Sequence, residues 1–318
     1  ILVEIIDAAM RQELGKDYIP GVINIVHGKG RIVGEAITNH PDIDLISFTG
    51  STAVGKRINE VAGRELKRVS LELGGKNAQI VMADANMDLA IDAVLWGAFG
   101  TTGQRCTATS RLILHKDIHD DFVNKLIERA GKLRLGYGND KGVDVGPCVS
   151  EAQRETVNNY VKIARDEDKA TLALGGDYAK DGELAKGWFY KPTIFTGVTP
   201  EMRIAKEEVF GPVLAVLKCD SLENAIDILN NTQYGLSSSI FTNNVNDAFT
   251  AVRDIQAGIT YINGATIGAE AHMPFGGVKA TGNGHREGGW TVYDFYTEWK
   301  AVYIDYSGKL QRAQIDNY

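Results

Sequence analysis

Apolar runs of strand length alternate with amphipathic helical stretches through most of this chain, and that alternation restricts the fold more than any other feature. Val22 to Val26, Leu45 to Phe48, Asn77 to Met82 and Ser110 to His115 read as strands. Helices are expected from Ile1 onward, near Ile32 to Thr38, over the apolar stretch Leu89 to Phe99, and from about Asp120 to Leu133. Strands joined by crossover helices build a parallel α/β sheet covered on both faces. The alternation continues through Gly289, so a second α/β unit is expected, and the alternating segment Glu298 to Tyr306 predicts a peripheral strand. At 318 residues one large domain or two ordinary ones with well-buried cores are expected. The helical pattern starts at Ile1 with no initiator Met and no N-cap, which leads us to expect that a preceding segment belongs to the same protein.

Composition removes several functional classes. A net charge of -7 argues against a dedicated binder of nucleic acid or anionic membrane. No apolar stretch reaches the ~18 residues of a membrane span, and the first residues lack a signal-peptide pattern, so a cytoplasmic or organelle-matrix protein is expected. Cys106, Cys148 and Cys219 are widely separated, which suits free thiols in a reducing compartment. His115 and His119 share i,i+4 spacing without an acidic third ligand, so no metal site is expected.

Three segments carry candidate chemistry. In Asp44-Leu-Ile-Ser-Phe-Thr-Gly-Ser-Thr-Ala-Val-Gly55 a strand, a tight turn at Gly50 and a helix start follow one another. Free amides and the positive dipole end there suit a phosphate, and Ser51 suits either a helix cap or a pyrophosphate contact. In Leu71-Glu-Leu-Gly-Gly-Lys76, Glu72 sits among apolar neighbours. Desolvation there would raise its pKa toward that of a useful base, while an exposed strand-end glutamate is the plainer alternative. In Gly103-Gln-Arg-Cys-Thr-Ala108, Cys106 follows a glycine turn beside Arg105, which suggests a partly exposed thiol with a favoured thiolate; a small inert core residue is the alternative. Glu207-Glu-Val-Phe-Gly-Pro212 and Met273-Pro-Phe-Gly-Gly-Val-Lys279 look positional, and Glu208 is placed to accept from a ribose.

Taken together and in order, Phe48-Thr-Gly-Ser-Thr-x-x-Gly55, Leu71-Glu-Leu-Gly-Gly-Lys76, Gly103-Gln-x-Cys106, Glu207-Glu-Val-Phe-Gly-Pro212 and Pro274-Phe-Gly-Gly277 resemble the aldehyde dehydrogenase superfamily across essentially the whole chain. The resemblance implies an α/β fold with three parts. Residues 1–73 would be the C-terminal part of an incomplete Rossmann-like coenzyme domain, 74–284 an α/β catalytic domain, and 285–318 a return helix and oligomerisation strand with a tail. A homodimer or homotetramer is implied, with NAD or NADP as coenzyme. Cys106 matches the family nucleophile and Glu72 the base that activates the deacylating water. Gly50, Ser51, Gly55, Leu73, Glu208 and Phe210 match the coenzyme floor, Ser51 at the pyrophosphate, Glu208 at the nicotinamide ribose and Phe210 beside the nicotinamide. Asn263 matches an asparagine at the start of the substrate-anchoring loop, and Lys76 is taken as structural.

The substrate side is implied at Arg105, Thr107, Gly268 and Ala269: Arg105 and Gly268-Ala-Glu270 resemble the aminoadipate semialdehyde branch, while Gly103 to Arg111 looks more like the 2-oxoglutarate semialdehyde branch, and a general aliphatic or aromatic aldehyde stays open. Both branches favour an aldehyde with a remote carboxylate, since a guanidinium suits one. With Glu72 present, hydrolysis to the acid is expected rather than transfer to coenzyme A. A fold-bearing relative or fragment without turnover stays open as the alternative. The family's Trp-Asn oxyanion motif and its adenosine-contacting lysine do not occur between Ile1 and Tyr318, so the expectation is that this chain alone binds coenzyme weakly or not at all and is inactive.

Overall fold

Near-continuous apolar strands and amphipathic helices fold here as the pattern requires, and the computed structural model describes residues 1–310. Eleven strands are found among them: β1 Leu45–Thr49, β2 Arg68–Glu72, β3 Asn77–Val81, β4 Thr109–His115, β5 Thr171–Leu174, β6 Thr193–Thr196, β7 Val213–Cys219, β8 Tyr234–Gly235, β9 Ser237–Phe241, β10 Ile259–Ile262 and β11 Val278–Lys279. Seven of them form one sheet in the order β10-β9-β3-β4-β7-β6-β5. Every pair in that sheet is parallel except β5 with β6.

Successive residues of a strand face opposite sides, so a strand buried on both faces must be apolar throughout. On one face Ile80, Ile113 and Leu217 pack with Val157, Ile226 and Leu229 from the helices Glu151–Lys162 and Leu222–Asn230. On the other, Val81, Leu112 and Val216 pack with Ile91, Val94 and Phe122 from the helices Met87–Phe99 and His119–Ala130. Separately, β1 and β2 pair in parallel, and Ile46, Val69 and Leu71 bury against Ile58 and Ala62 of the helix Thr52–Arg64. β8 and β11 form a short antiparallel pair.

Two predicted strands do not form. Residues 22–26 are coil, with Val22, Ile25 and Val26 at 60%, 57% and 70% exposure. Residues 298–306 are likewise coil, with Trp299 and Tyr303 exposed. In both, alternation is present but no described strand lies alongside to take the main-chain hydrogen bonds, and a strand without a partner is not stable. Near Ile32 to Thr38 the helix is real but opens with a wide turn at Gly30–Gly34 before Glu35–Asn39. The end of the segment expected to carry the oligomerisation strand and tail, residues 311–318, lies outside the described residues.

Candidate active site

Glu72 closes β2, and three contacts hold that strand end. The Leu73 amide donates to the Thr281 carbonyl at 2.7 Å, the Leu71 amide to Asn283 Oδ1 at 3.1 Å, and Asn283 Nδ2 donates to the Val69 carbonyl at 2.6 Å. Gly282 lies between, where a Cβ would come 2.4 Å from the Leu71 carbonyl oxygen. The Glu72 side chain is 3% exposed and neither carboxylate oxygen has a hydrogen-bond partner. Burial pushes its pKa from the ordinary 4.5 up to about 8; the Glu287 charge adds to the rise and Arg286 opposes it. Glu72 is therefore a buried carboxyl rather than an exposed strand end.

Cys106 is reached through a reversal. The helix Met87–Phe99 ends at Gly100, and Thr101, Thr102 and Gly103 then adopt left-handed φ of 55°, 60° and 64°. Thr102 Oγ1 donates to the Gly146 carbonyl at 3.0 Å, and the Gln104 carboxamide accepts from the Val149 amide at 2.9 Å. At Gly75 a Cβ would stand 2.5 Å from the Cys106 carbonyl oxygen, and that oxygen accepts from Asn77 Nδ2 at 2.7 Å. The glycine pair after Glu72 thus lets the chain of the carboxyl approach the chain of the thiol.

The electrostatics of Cys106 correct the expectation placed on Arg105. Burial raises the thiol pKa, the charges of Glu72 and Glu208 raise it further, and the amides of Thr107 and Cys106 pull it back. Arg105 is not among the groups that shift it. Its guanidinium instead lies over the Trp96 ring, 5.7 Å from the centroid. Cys106 is half-buried, as expected, whereas Cys148 and Cys219 are buried; all three are free thiols.

Both groups open into one cavity of about 840 Å³. Of the residues singled out from sequence, Gly50, Ser51, Glu72, Leu73, Arg105, Cys106, Thr107, Glu208, Phe210, Gly268 and Ala269 all line it. Gly55 does not. It is buried in the helix Thr52–Arg64, where a Cβ would meet the Leu73 side chain at 2.4 Å, so it sets how closely helix and strand end pack. Ser51 caps that helix, its hydroxyl accepting from the Val54 amide at 3.4 Å. The amides of the preceding helical positions have no intrahelical partner. Glu208 Oε1 accepts from the Gly75 amide at 3.0 Å, and a Cβ at Gly74 would fall 2.2 Å from Glu208 Oε2.

Sequence reasoning missed Gln153. Its carboxamide donates to the carbonyls of Val209 at 3.0 Å and Phe210 at 2.9 Å, holding Phe210 at φ 53° on the cavity wall. Nothing local marks it, because it is one polar residue on an amphipathic helix. Thr266 and Tyr261 were missed too: Thr266 Oγ1 donates to the Thr107 carbonyl at 2.7 Å, and Tyr261 to that of Gly268 at 2.9 Å. Asn263 anchors its loop by pairing with Thr242 through both carboxamide atoms, at 3.1 and 3.0 Å. Lys76 is buried, and burial, then the nearby Arg111 charge, push its pKa down to about 7. Its carbonyl accepts from the Arg111 guanidinium. Among the described residues no three His, Cys, Asp or Glu side chains group as a metal site, and no helix is long and apolar enough to cross a membrane.

A mostly parallel α/β sheet whose cavity joins a half-buried thiol, a buried carboxyl and a helix N-terminus defines the class. The chain belongs to the aldehyde dehydrogenase family, whose model matches residues 2–302. It is 40% identical over 284 residues to the alpha-ketoglutaric semialdehyde dehydrogenase of Bacillus subtilis, covering 89% of this chain and 58% of the relative. It is 45% identical over 287 residues to the alpha-ketoglutarate semialdehyde dehydrogenase of Haloferax volcanii, covering 90% and 59%. Betaine aldehyde dehydrogenase of Staphylococcus aureus, solved in complex with NAD+, superposes with a TM-score of 0.85 at 35% identity, over 89% of this chain and 55% of that one. The chain thus spans well under two thirds of the length of the relatives it matches.

Proposed function

We propose that the protein oxidises an aldehyde bearing a remote carboxylate to the carboxylic acid, with NAD+ or NADP+, through a thioester on Cys106. The observation that carries this reading is the single cavity that Cys106, Glu72, Glu208, Phe210, Ser51 and Arg105 all line. The coenzyme fits the residues present. Ser51 and the helix start would hold its pyrophosphate, Glu208 its ribose, and Phe210 would flank the nicotinamide. Bound there, it supplies the hydride acceptor.

The remaining steps belong to the chain. The Cys106 sulfur, as thiolate, adds to the aldehyde carbon. Once that carbon has been oxidised, the thioester is hydrolysed. Glu72, with both oxygens free of partners, takes a proton from the attacking water as its oxygen adds to the carbonyl carbon; the C–S bond then breaks, that proton passes to the departing sulfur, and the acid leaves with Cys106 restored as thiol. Arg105 would receive the remote carboxylate as an ion pair. Support for a carboxylated substrate comes from the semialdehyde dehydrogenases among the relatives.

The division at residues 73 and 284, and assembly as a homodimer or homotetramer through the exposed aromatic segment around Trp299 and Tyr303, belong to the same proposal. So does work in the cytoplasm, in keeping with three free thiols.

Rapid-quench kinetics with a semialdehyde and NAD(P)+ test it. Cys106→Ala should form no reduced coenzyme. Glu72→Gln should keep a first-turnover burst while steady-state hydrolysis falls by ~10²- to 10⁴-fold. Unchanged turnover in either variant would remove the assigned roles, and loss of the burst in Glu72→Gln would move Glu72 to an earlier step.

A further inference from the structure

We infer that Trp96 is a specificity-determining residue: its ring holds the Arg105 guanidinium at the cavity wall, and so sets the preference for aldehydes with a remote carboxylate. The inference rests on the proposed role of Arg105 and concerns a residue that does not itself line the cavity.

Nine positions separate Trp96 from Arg105, and the fold brings them together by an unusual route. Trp96 occupies the last turn of the helix Met87–Phe99, where its carbonyl accepts from the Gly100 amide. Three consecutive left-handed residues, Thr101, Thr102 and Gly103, then double the chain back, so that Arg105 returns over the face of the ring. Left-handed conformation at threonine is costly, and two in succession need support from outside. Thr102 has it from the Gly146 carbonyl, and Gly103 from its close fit against Gly211, where a Cβ would come 2.2 Å from the carbonyl oxygen. Gly100 completes the arrangement, since a Cβ there would lie 2.6 and 2.9 Å from two carbons of the Trp96 ring. The absence of a side chain at Gly100 therefore leaves room for the ring that Arg105 lies over.

The charges nearby leave Arg105 available. On the same helix, the carboxylates of Asp88 and Asp92 both pair with Arg129, at 3.9 Å for Asp88. Arg105 forms no ion pair among the described residues, and the Trp96 ring is the contact that orients it. A guanidinium stacked on an aromatic face keeps its N–H groups directed outward in the ring plane, ready for a carboxylate. Without the ring a long exposed side chain samples many rotamers, and ordering it on binding costs affinity. Trp96 is 55% exposed, so replacing it removes the stack without opening the core.

Calorimetric titration of glutarate and of pentanoate, which differ by the remote carboxylate, gives a readout that needs no turnover. Steady-state kinetics with 5-oxopentanoate and pentanal give a second. Trp96→Leu should weaken glutarate, and raise KM for 5-oxopentanoate, by about two- to fivefold relative to the singly functionalised partner. Trp96→Phe, which keeps an aromatic face, should recover much of the difference. Adding Trp96→Leu to Arg105→Ala should change the ratios no further, as expected for two residues acting as a unit. If Arg105→Ala is selective against the remote carboxylate but Trp96→Leu is not, or if Phe serves no better than Leu, Trp96 has no such role while the substrate reading stands. If Arg105→Ala affects both ligands of each pair equally, the reading of Arg105 falls and takes this inference with it.

Discussion

Burial keeps the Glu72 carboxyl protonated to about pH 8, and two consequences of opposite kind follow at the scale of this residue. The form that takes a proton from water is the carboxylate, so the hydrolytic rate should climb as pH rises from 6 to 9, with an apparent midpoint near 8. A profile already flat at pH 6 would assign the base elsewhere. Stability runs the other way. Between 4.5 and about 8 the folded protein keeps a proton on Glu72 that the unfolded chain has released, so the folded state binds more protons and this group's contribution to stability falls as pH rises through that window. Glu72→Gln escapes the effect. Its melting temperature should therefore exceed that of the parent by more at pH 9 than at pH 5, and an equal difference at both would show that the carboxyl ionises freely in the folded state.

Between elements, the glycine contacts decide how the site closes. Gly103 has φ of 64°, and a Cβ there would come 2.2 Å from the Gly211 carbonyl oxygen, with no flexible side chain to yield. Gly103→Ala should cost about 1–3 kcal/mol in a denaturant titration, from the backbone conformation alone, and should alter the alkylation rate of Cys106. Gly146→Ala is the control, since its Cβ would meet Thr102 Oγ1 at an ordinary 3.8 Å. Equal stability in the two variants would mean that the Thr101 to Gly103 reversal is not held by its fit against Gly211. The regular elements were legible in the sequence because their signal is local. β1, β3, β4 and the helix Met87–Phe99 appear within a residue or two of where periodicity puts them. Residues 22–26 and 298–306 carry the same signal, but strand formation also needs a neighbour, which periodicity does not report.

Across the whole molecule, one buried cation ties the carboxyl-bearing segment to the main sheet and its covering helix. Arg111 on β4 donates to the Lys76 carbonyl at 3.0 and 2.7 Å, to that of Ile228 at 2.9 Å and to that of Leu229 at 2.8 Å. The last two lie at the C-terminal turn of the helix Leu222–Asn230, where a positive charge is favoured. Arg111→Met should leave these buried carbonyls unpaired at about 1–3 kcal/mol each, a total of at least ~3 kcal/mol in a urea titration. A loss below 1 kcal/mol would show that water or a local shift satisfies them instead.

Sequence by itself determined the α/β class, the strands β1, β3 and β4 with the helix Met87–Phe99 between them, and eleven of the sixteen residues that line the cavity, because period, turn chemistry and ordered motifs are written in neighbouring positions. It even pointed to a raised pKa at Glu72 from the apolar flanks Leu71 and Leu73. Tertiary structure decided what depends on distance through space. It placed Arg105 on Trp96 rather than beside the thiolate, and set Asn283 and Gln153 to hold the strand end and Phe210 from remote stretches of chain. It also left Gly55 outside the cavity, packed on Leu73. A charge acts on whatever the fold brings within a few ångströms, and burial depends on every element that covers a group, so neither can be read from the residues on either side.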